Sequence, residues 1–360
     1  MSAITIGGDL IHYEKLGRGR PVILVHGWIG SWRYWIPLMQ NLHTNFSVYT
    51  LDLIGFGDSS KNADHYTINY QVNMLETFLD QLGIPKAAML GHGLGAMVVL
   101  QFALRNPDKV ARMLLASMPL FDPGDLDTRV PAGTRQLLTA NNTRYSLAPN
   151  MDEIIAANDQ TVASTGSDSD KTLVSSSTSS GIYTPFHELP TINRSKNEKI
   201  DRDALRRAAE ERDKRKNSAN ALENMFGSHK IVNLLEKCFD KKEPEFEKLK
   251  VDVDKSDDLV LARSAQDFNA GDMLDDLRRV TAPVIAVHGT NDPIFPQPSE
   301  EIWNYLTLDR EDVFVPIPLQ GTRHFPMLEH DAFPRLTTDF LTVSDISSIE
   351  IRDRWRRRSR

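Results

Sequence analysis

The chain holds one cysteine, Cys238, among 360 residues. That scarcity excludes an internal disulfide framework and any multi-cysteine zinc or iron–sulfur site. Basic charge is also short. Lys and Arg number 42 against 49 Asp and Glu, giving a net charge of -7 and a pI near 5.8. A nucleic-acid-binding domain ordinarily presents a basic face, so no nucleic-acid partner is expected. No apolar run approaches the ~18 residues of a transmembrane helix. The opening segment MSAITIGGDLIHYEKLG lacks a basic region followed by an apolar run, so no secretory signal is expected and a cytoplasmic location is the default.

Hydrophobic residues make up 40% and charged residues 25%, enough apolar surface for a large core. The first third alternates strand-like and helix-like segments. Strands are predicted at 10–16, 21–26, 46–51, 87–91 and 110–116, and helices at 32–42 (with Ser31 as N-cap), 67–82 and 94–105. The pattern resumes with strands at 283–288 and 312–317 and helices near 299–306 and 327–341. Segments such as PVILVH and PVIAVH are continuous apolar runs, as in strands covered on both faces. Strands spaced by helices predict an α/β fold with a mostly parallel central sheet and helices on both faces.

Between 119 and 281 the alternation breaks. Residues 161–181 contain 12 Ser or Thr in 21, a composition that buries little and predicts a flexible loop. Residues 198–216 hold 14 charged residues in 19, and Asp203/Arg207, Glu210/Lys214 and Glu211/Arg215 place an acid four residues before a base, as on an exposed helix. Helical patterns recur at 229–239 and 257–269. The expected organisation is a core of 1–118 and 282–345, a helical insertion of 119–281, and a basic tail of 346–360. The tail ends RDRWRRRSR, with six arginines in nine residues. A solvated tail is the plainer reading, and contact with an acidic surface through 352–360 is the alternative.

Four motifs sit at the C-terminal ends of predicted strands, where open parallel sheets gather ligands. They are His26-Gly27-Trp28; Asp52-Leu-Ile-Gly55-Phe-Gly57-Asp-Ser59; Gly91-His92-Gly93-Leu94-Gly95; and the pair His288-Gly-Thr-Asn-Asp292 and Gly321-Thr-Arg-His324. Their order and spacing resemble the α/β-hydrolase family over about 1–118 and 282–345. The resemblance implies a G-x-S-x-G turn presenting a nucleophilic serine, an acid after a later strand, a histidine after the last, and backbone amides forming an oxyanion hole. By position, Asp292 is the implied acid, His324 the base, and Trp28 and Leu94 the oxyanion amides. The insertion becomes a cap over the pocket, which Phe121, Phe295 and Phe325, with Trp28 and Trp35, are candidates to line.

The departure lies at the centre, because the nucleophile position is Gly93, which has no side chain. Losing the nucleophile of a serine hydrolase costs ~10⁶ in turnover, with ~10³–10⁴ over water remaining. Glycine suits the strained turn, so the turn and its amides are expected to persist. His26 and His92 read as structural, as do Asp52, Gly55 and Gly57; Asp122 is a fallback acid; and Cys238 reads as buried and inert. The run Gly91, Gly93, Gly95 has the wrong spacing for a dinucleotide fingerprint, and no cofactor or metal is implied. Three functions stay open, each with a small, mainly apolar substrate or ligand. They are an enzyme using the His324/Asp292 dyad as general base without an acyl-enzyme, a non-catalytic pseudo-hydrolase that binds a ligand or a protein partner, and a serine ester hydrolase inactivated by the change at 93.

Overall fold

A computed structural model of the chain describes residues 2–126, 129 and 220–349. Eight strands form one sheet in the order β1-β2-β4-β3-β5-β6-β7-β8. They are β1 (Ser2–Ile6), β2 (Asp9–Leu16), β3 (Arg20–Val25), β4 (Phe46–Leu51), β5 (Ala87–His92), β6 (Val110–Ala116), β7 (Val284–Gly289) and β8 (Phe314–Leu319). β1 and β2 join antiparallel, and all strands from β4 across to β8 are parallel. Every residue of β4, β5 and β7 is buried, which is why these segments read as mainly apolar.

The chain runs from β3 outward to β4, then returns past β3 to β5. The two crossovers are α1 (Ile36–Leu42) and α2 (Ile68–Gln81). Parallel crossovers are right-handed, so opposite directions of travel put these helices on opposite faces. α3 (Leu94–Arg105) packs beside α2, and α11 (Phe333–Thr342) packs beside α1. The reversal between β3 and β5 is the switch point of the sheet, and the loops after both strands open there.

The described part of the insertion is five helices: α4 (Ala221–Phe226), α5 (Ile231–Cys238), α6 (Pro244–Val253), α7 (Leu259–Ala265) and α8 (Ala270–Arg279). They belong with the sheet to one compact unit, Met1–Ala132 with Glu211–Arg360. The expected Ser/Thr-rich loop at 161–181, the charged helix at 198–216 and the arginines of the tail lie outside the described residues. After β7 come α9 (Glu300–Thr307), β8, α10 (Pro326–Glu329) and α11. No helix among the described residues is long and apolar enough to cross a membrane.

Proline sets two breaks that periodicity missed. The expected helix at 32–42 is a 3₁₀ turn, Trp32–Trp35, capped by Ser31, followed by α1 with Pro37 in its first turn. The expected helix at 327–341 is α10 and α11, separated before Pro334, which cannot continue a helix from the preceding turn. Ile346 and Ile349, at the start of the expected tail, are buried against the core.

The loop after β4 is held by Asp52, whose side chain is fully buried. Its carboxylate accepts the Trp32 N–H (2.9 Å), the Asp58 N–H (2.9 Å) and His12 Nδ1–H (3.1 Å). This carboxylate raises the His12 pKa through that hydrogen bond, against the opposing effect of burial. Asp58 in turn pairs with Arg33 and Lys255. His12, Asp52 and Asp58 stand close enough to suggest a cation site, yet their oxygens already serve backbone donors and two cationic side chains. The cluster is a structural staple. Asp52→Asn puts an amide N–H₂ among these donors, and should cost about 3 kcal/mol of stability in urea unfolding monitored by circular dichroism.

Candidate active site

Gly93 sits between β5 and α3 with φ 51° and ψ -112°, a backbone that L side chains rarely adopt. Its flanking glycines allow close approach. A Cβ on Gly91 would stand 2.5 Å from the Ala96 Cα, and one on Gly95 would stand 2.2 Å from the Val25 carbonyl oxygen. The chain thus turns sharply from β5 into α3, with no side chain at the position of the turn. Leu94 opens α3, where a first-turn N–H has no partner inside its own helix. Trp28 lies in the loop after β3, the neighbouring strand. These two expected oxyanion residues thus flank the switch point.

The Trp28 ring covers the Gly93 turn. A Cβ on Gly93 would meet the six-membered ring of Trp28 at 3.2 Å and 3.4 Å, tight contacts that a small ring shift would relieve. The indole is pinned from the insertion: its Nε1–H donates to Ser264 Oγ on α7 at 2.8 Å. Its faces and edges meet Phe226 of α4 (5.0 Å between centroids) and Phe295 (5.7 Å).

Asp292 follows β7 and His324 follows β8. His324 Nδ1–H donates to Asp292 Oδ2 at 2.9 Å, and both side chains are almost wholly buried. Asp292 Oδ1 also accepts the N–H groups of Ile294 (2.8 Å) and Phe295 (3.1 Å). Burial works to raise the Asp292 pKa, but His324, His288 and these donors outweigh it, and the carboxyl titrates below its ordinary value. With Nδ1 committed as a donor, neutral His324 carries its lone pair on Nε2, a buried atom with no hydrogen-bond partner among the described residues.

Aromatic rings surround the pair. Phe295 lies 5.6 Å and Phe325 5.2 Å from the His324 ring. Phe121 is partly exposed and reaches this group at one remove, against Phe295 (6.1 Å) and Phe268 (5.8 Å). Trp35 is buried against Tyr34. Asp122, the fallback acid, is exposed and closes a turn onto the Gly124 N–H. His26 accepts the Leu53 N–H on Nε2 (2.9 Å) and donates from Nδ1 to the Gly27 carbonyl (2.8 Å), while burial lowers its pKa. Both ring nitrogens are occupied, which leaves it a structural part. Cys238 is buried and its thiol is pushed up by desolvation.

Several residues of this arrangement carry no motif: Tyr34, Ser117, Phe226, Glu243 and Ser264 come from five separate stretches of chain. Arg323 precedes His324 and holds Glu243, at the N-cap of α6, through both guanidinium NH₂ groups (2.9 and 2.8 Å). It also donates to Glu329 (3.0 Å) and lies over the Phe239 ring. Phe239 packs on Phe325. Both chain neighbours of His324 are thus gripped by the insertion.

The hydrogen bonds from Arg323 hold the Glu243 carboxyl at about 2, against an ordinary 4.5. A depressed carboxyl stabilises the fold above its unfolded pKa and loses that contribution as pH falls through the folded value. The stability difference between the native chain and Glu243→Gln should be constant above about pH 5 and shrink between 4.5 and 2. Urea midpoints measured across that range check it.

A family model described as alpha/beta hydrolase fold matches residues 20–331. The chain is 32% identical over 152 residues to bifunctional epoxide hydrolase 2 of Mus musculus, covering 41% of this chain and 27% of that protein. It is 34% identical over 113 residues to the soluble epoxide hydrolase of Corynebacterium sp. (strain C12), covering 31% of this chain and 40% of that one. The matched segments thus span less than half the length of these relatives. Among solved structures, a hydrolase from Pseudomonas aeruginosa PA01 superposes with a TM-score of 0.55 at 16% identity, over 95% of this chain and 98% of its own. A bacterial membrane phospholipase A superposes with a TM-score of 0.57 at 16% identity, over 94% and 84%.

Proposed function

The chain belongs to the α/β-hydrolase fold family, and from that premise we propose that it hydrolyses a small, mainly apolar substrate by direct attack of water, with His324 as general base and no acyl-enzyme. The observation that carries this reading is the buried Asp292–His324 hydrogen bond beside a nucleophile turn that ends in glycine. A buried ionisable pair is costly to keep, and removing one partner leaves an uncompensated charge. General-base use of the pair gives it a chemical role at the site.

In this scheme His324 Nε2 takes a proton from water as the oxygen attacks an electrophilic carbon. Asp292 stabilises the imidazolium that forms and keeps it in the required orientation. The Trp28 and Leu94 N–H groups stabilise negative charge on the departing or carbonyl oxygen, each such donor being worth ~10²–10³ in turnover. The imidazolium then returns its proton to the leaving oxygen. Relatives named for epoxide hydrolysis make a strained cyclic ether one candidate electrophile, and an ester the other. The aromatic surround of Trp28, Phe226, Phe295 and Phe325 favours an apolar substrate body.

One observation favours a second reading. The Trp28 ring, pinned by Ser264, Phe226 and Phe295, covers the Gly93 turn, as suits a pseudo-hydrolase that binds a ligand without turning it over. Hydrolysis of a short activated ester and of an aryl epoxide separates the readings. General-base hydrolysis predicts steady turnover above buffer, without a burst, reduced at least 100-fold by His324→Ala. Turnover unchanged by both His324→Ala and Asp292→Ala overturns it. Saturable binding of the same compounds without turnover supports the second reading. A burst appearing only in Gly93→Ser marks a serine hydrolase that lost its nucleophile.

A further inference from the structure

The nucleophile hydroxyl of a serine hydrolase hydrogen-bonds the catalytic histidine and so helps to hold its ring. Gly93 removes that hold, and the ring must be fixed by other means. His324 is fixed through its backbone carbonyl, which accepts two hydrogen bonds. One comes from His92 Nε2–H at 2.8 Å and the other from the Ser117 hydroxyl at 2.9 Å.

The proton positions follow from counting donors. The Gly27 N–H can only donate, and its partner is the Tyr34 hydroxyl oxygen at 2.6 Å. The single phenolic proton is then free to point to His92 Nδ1, 2.9 Å away. His92 Nδ1 is therefore the acceptor, and its remaining proton sits on Nε2, aimed at the His324 carbonyl. Desolvation keeps the phenol protonated, with its pKa raised well above the ordinary value, and keeps His92 neutral, with its pKa well below. Tyr34 and His92 are both buried, and their rings meet edge to face at 5.5 Å. Gly27 is part of the fit, because a Cβ there would stand 2.9 Å from His92 Nδ1.

Ser117 supplies an independent sign. It follows β6 with φ 46°, one of two non-glycine residues with positive φ among those described. A buried serine held in that region is strained, and such strain recurs where a side chain must be aimed. Here the conformation puts its hydroxyl on the same carbonyl that His92 holds.

We propose that Tyr34, His92 and Ser117 are positioning residues for His324: Tyr34 and His92 form a directional relay from the Gly27 N–H to the His324 carbonyl, Ser117 donates to that same carbonyl, and together they fix the base in place of the missing nucleophile hydroxyl. The proposal rests on the reading of His324 as the base, and it ties that base to the loop carrying the Trp28 amide. A displacement of about 1 Å at a reacting group costs up to ~100-fold in rate, so loss of the relay should lower kcat 10- to 100-fold while KM stays within about twofold.

The test uses the full chain with ¹⁵N-labelled histidine. The Asp292-bonded Nδ1–H of His324 should give a low-field, exchange-protected proton resonance, assigned by its loss in Asp292→Asn. His92→Leu should abolish or broaden it. His92→Gln should restore it, because the Gln carbonyl can accept from Tyr34 and its amide can donate to His324. An unchanged resonance in folded His92→Leu overturns the proposal. If His92→Leu fails to fold, Tyr34→Phe and Ser117→Ala decide: accelerated exchange in both supports the relay, and native exchange in either overturns it. The resonance is read without substrate, so an absence of turnover in the native chain would count against hydrolysis alone.

Discussion

A buried carboxylate is tolerable only where donors surround it, and Asp292 meets that demand with the Ile294 and Phe295 N–H groups and His324 Nδ1–H. Of these three hydrogen bonds, that from His324 ties the loop after β8 to the loop after β7, the other two brace the β7 loop on itself, and His324 Nε2 is left with no hydrogen-bond partner among the described residues. They also fix Phe295, whose ring abuts both His324 and Trp28. The aromatic cover of the Gly93 turn thus depends on the same carboxylate as the His324 ring. None of these contacts involves a side chain at 93.

The insertion bears on this constraint at two points. Ser264 and Phe226 hold Trp28 over the turn, while Glu243 and Phe239 hold the residues on either side of His324. Arg33 pairs with the buried Asp252, and Tyr66 donates to Asp257, adding ties away from the site. His324 and Trp28 are each about 1% exposed beneath these contacts. The same set of helices thus bears on the Trp28 ring and on the backbone either side of His324.

Much of the sheet was legible because its strands are buried on both faces and read as apolar runs. β1 was not, since SAITI is short and half-exposed at the sheet edge. α6 escaped notice because half of PEFEKLKVDV is charged and it buries only Phe246, Leu249, Asp252 and Val253. Asp292, His324 and Gly93 could be located by motif order, since each follows a strand of the parallel set. The partners that fix them could not. Tyr34, Ser117, Ser264 and Glu243 are ordinary residues whose role comes from three-dimensional convergence, and hydroxyl and carboxylate partners leave no periodic trace. His92 was read as packing, and its two hydrogen bonds became visible only when β5 lay beside the loop after β8.

Removal of a proton from water by His324, the step we propose, leaves a signature in the solvent dependence of the rate. The solvent deuterium isotope effect on kcat for the preferred ester or epoxide tests it most directly. General-base attack by water predicts slower turnover in D₂O for the native chain, with the effect lost in the residual rate of His324→Ala. Equal turnover in H₂O and D₂O, or an isotope effect that survives undiminished in His324→Ala, would contradict the account.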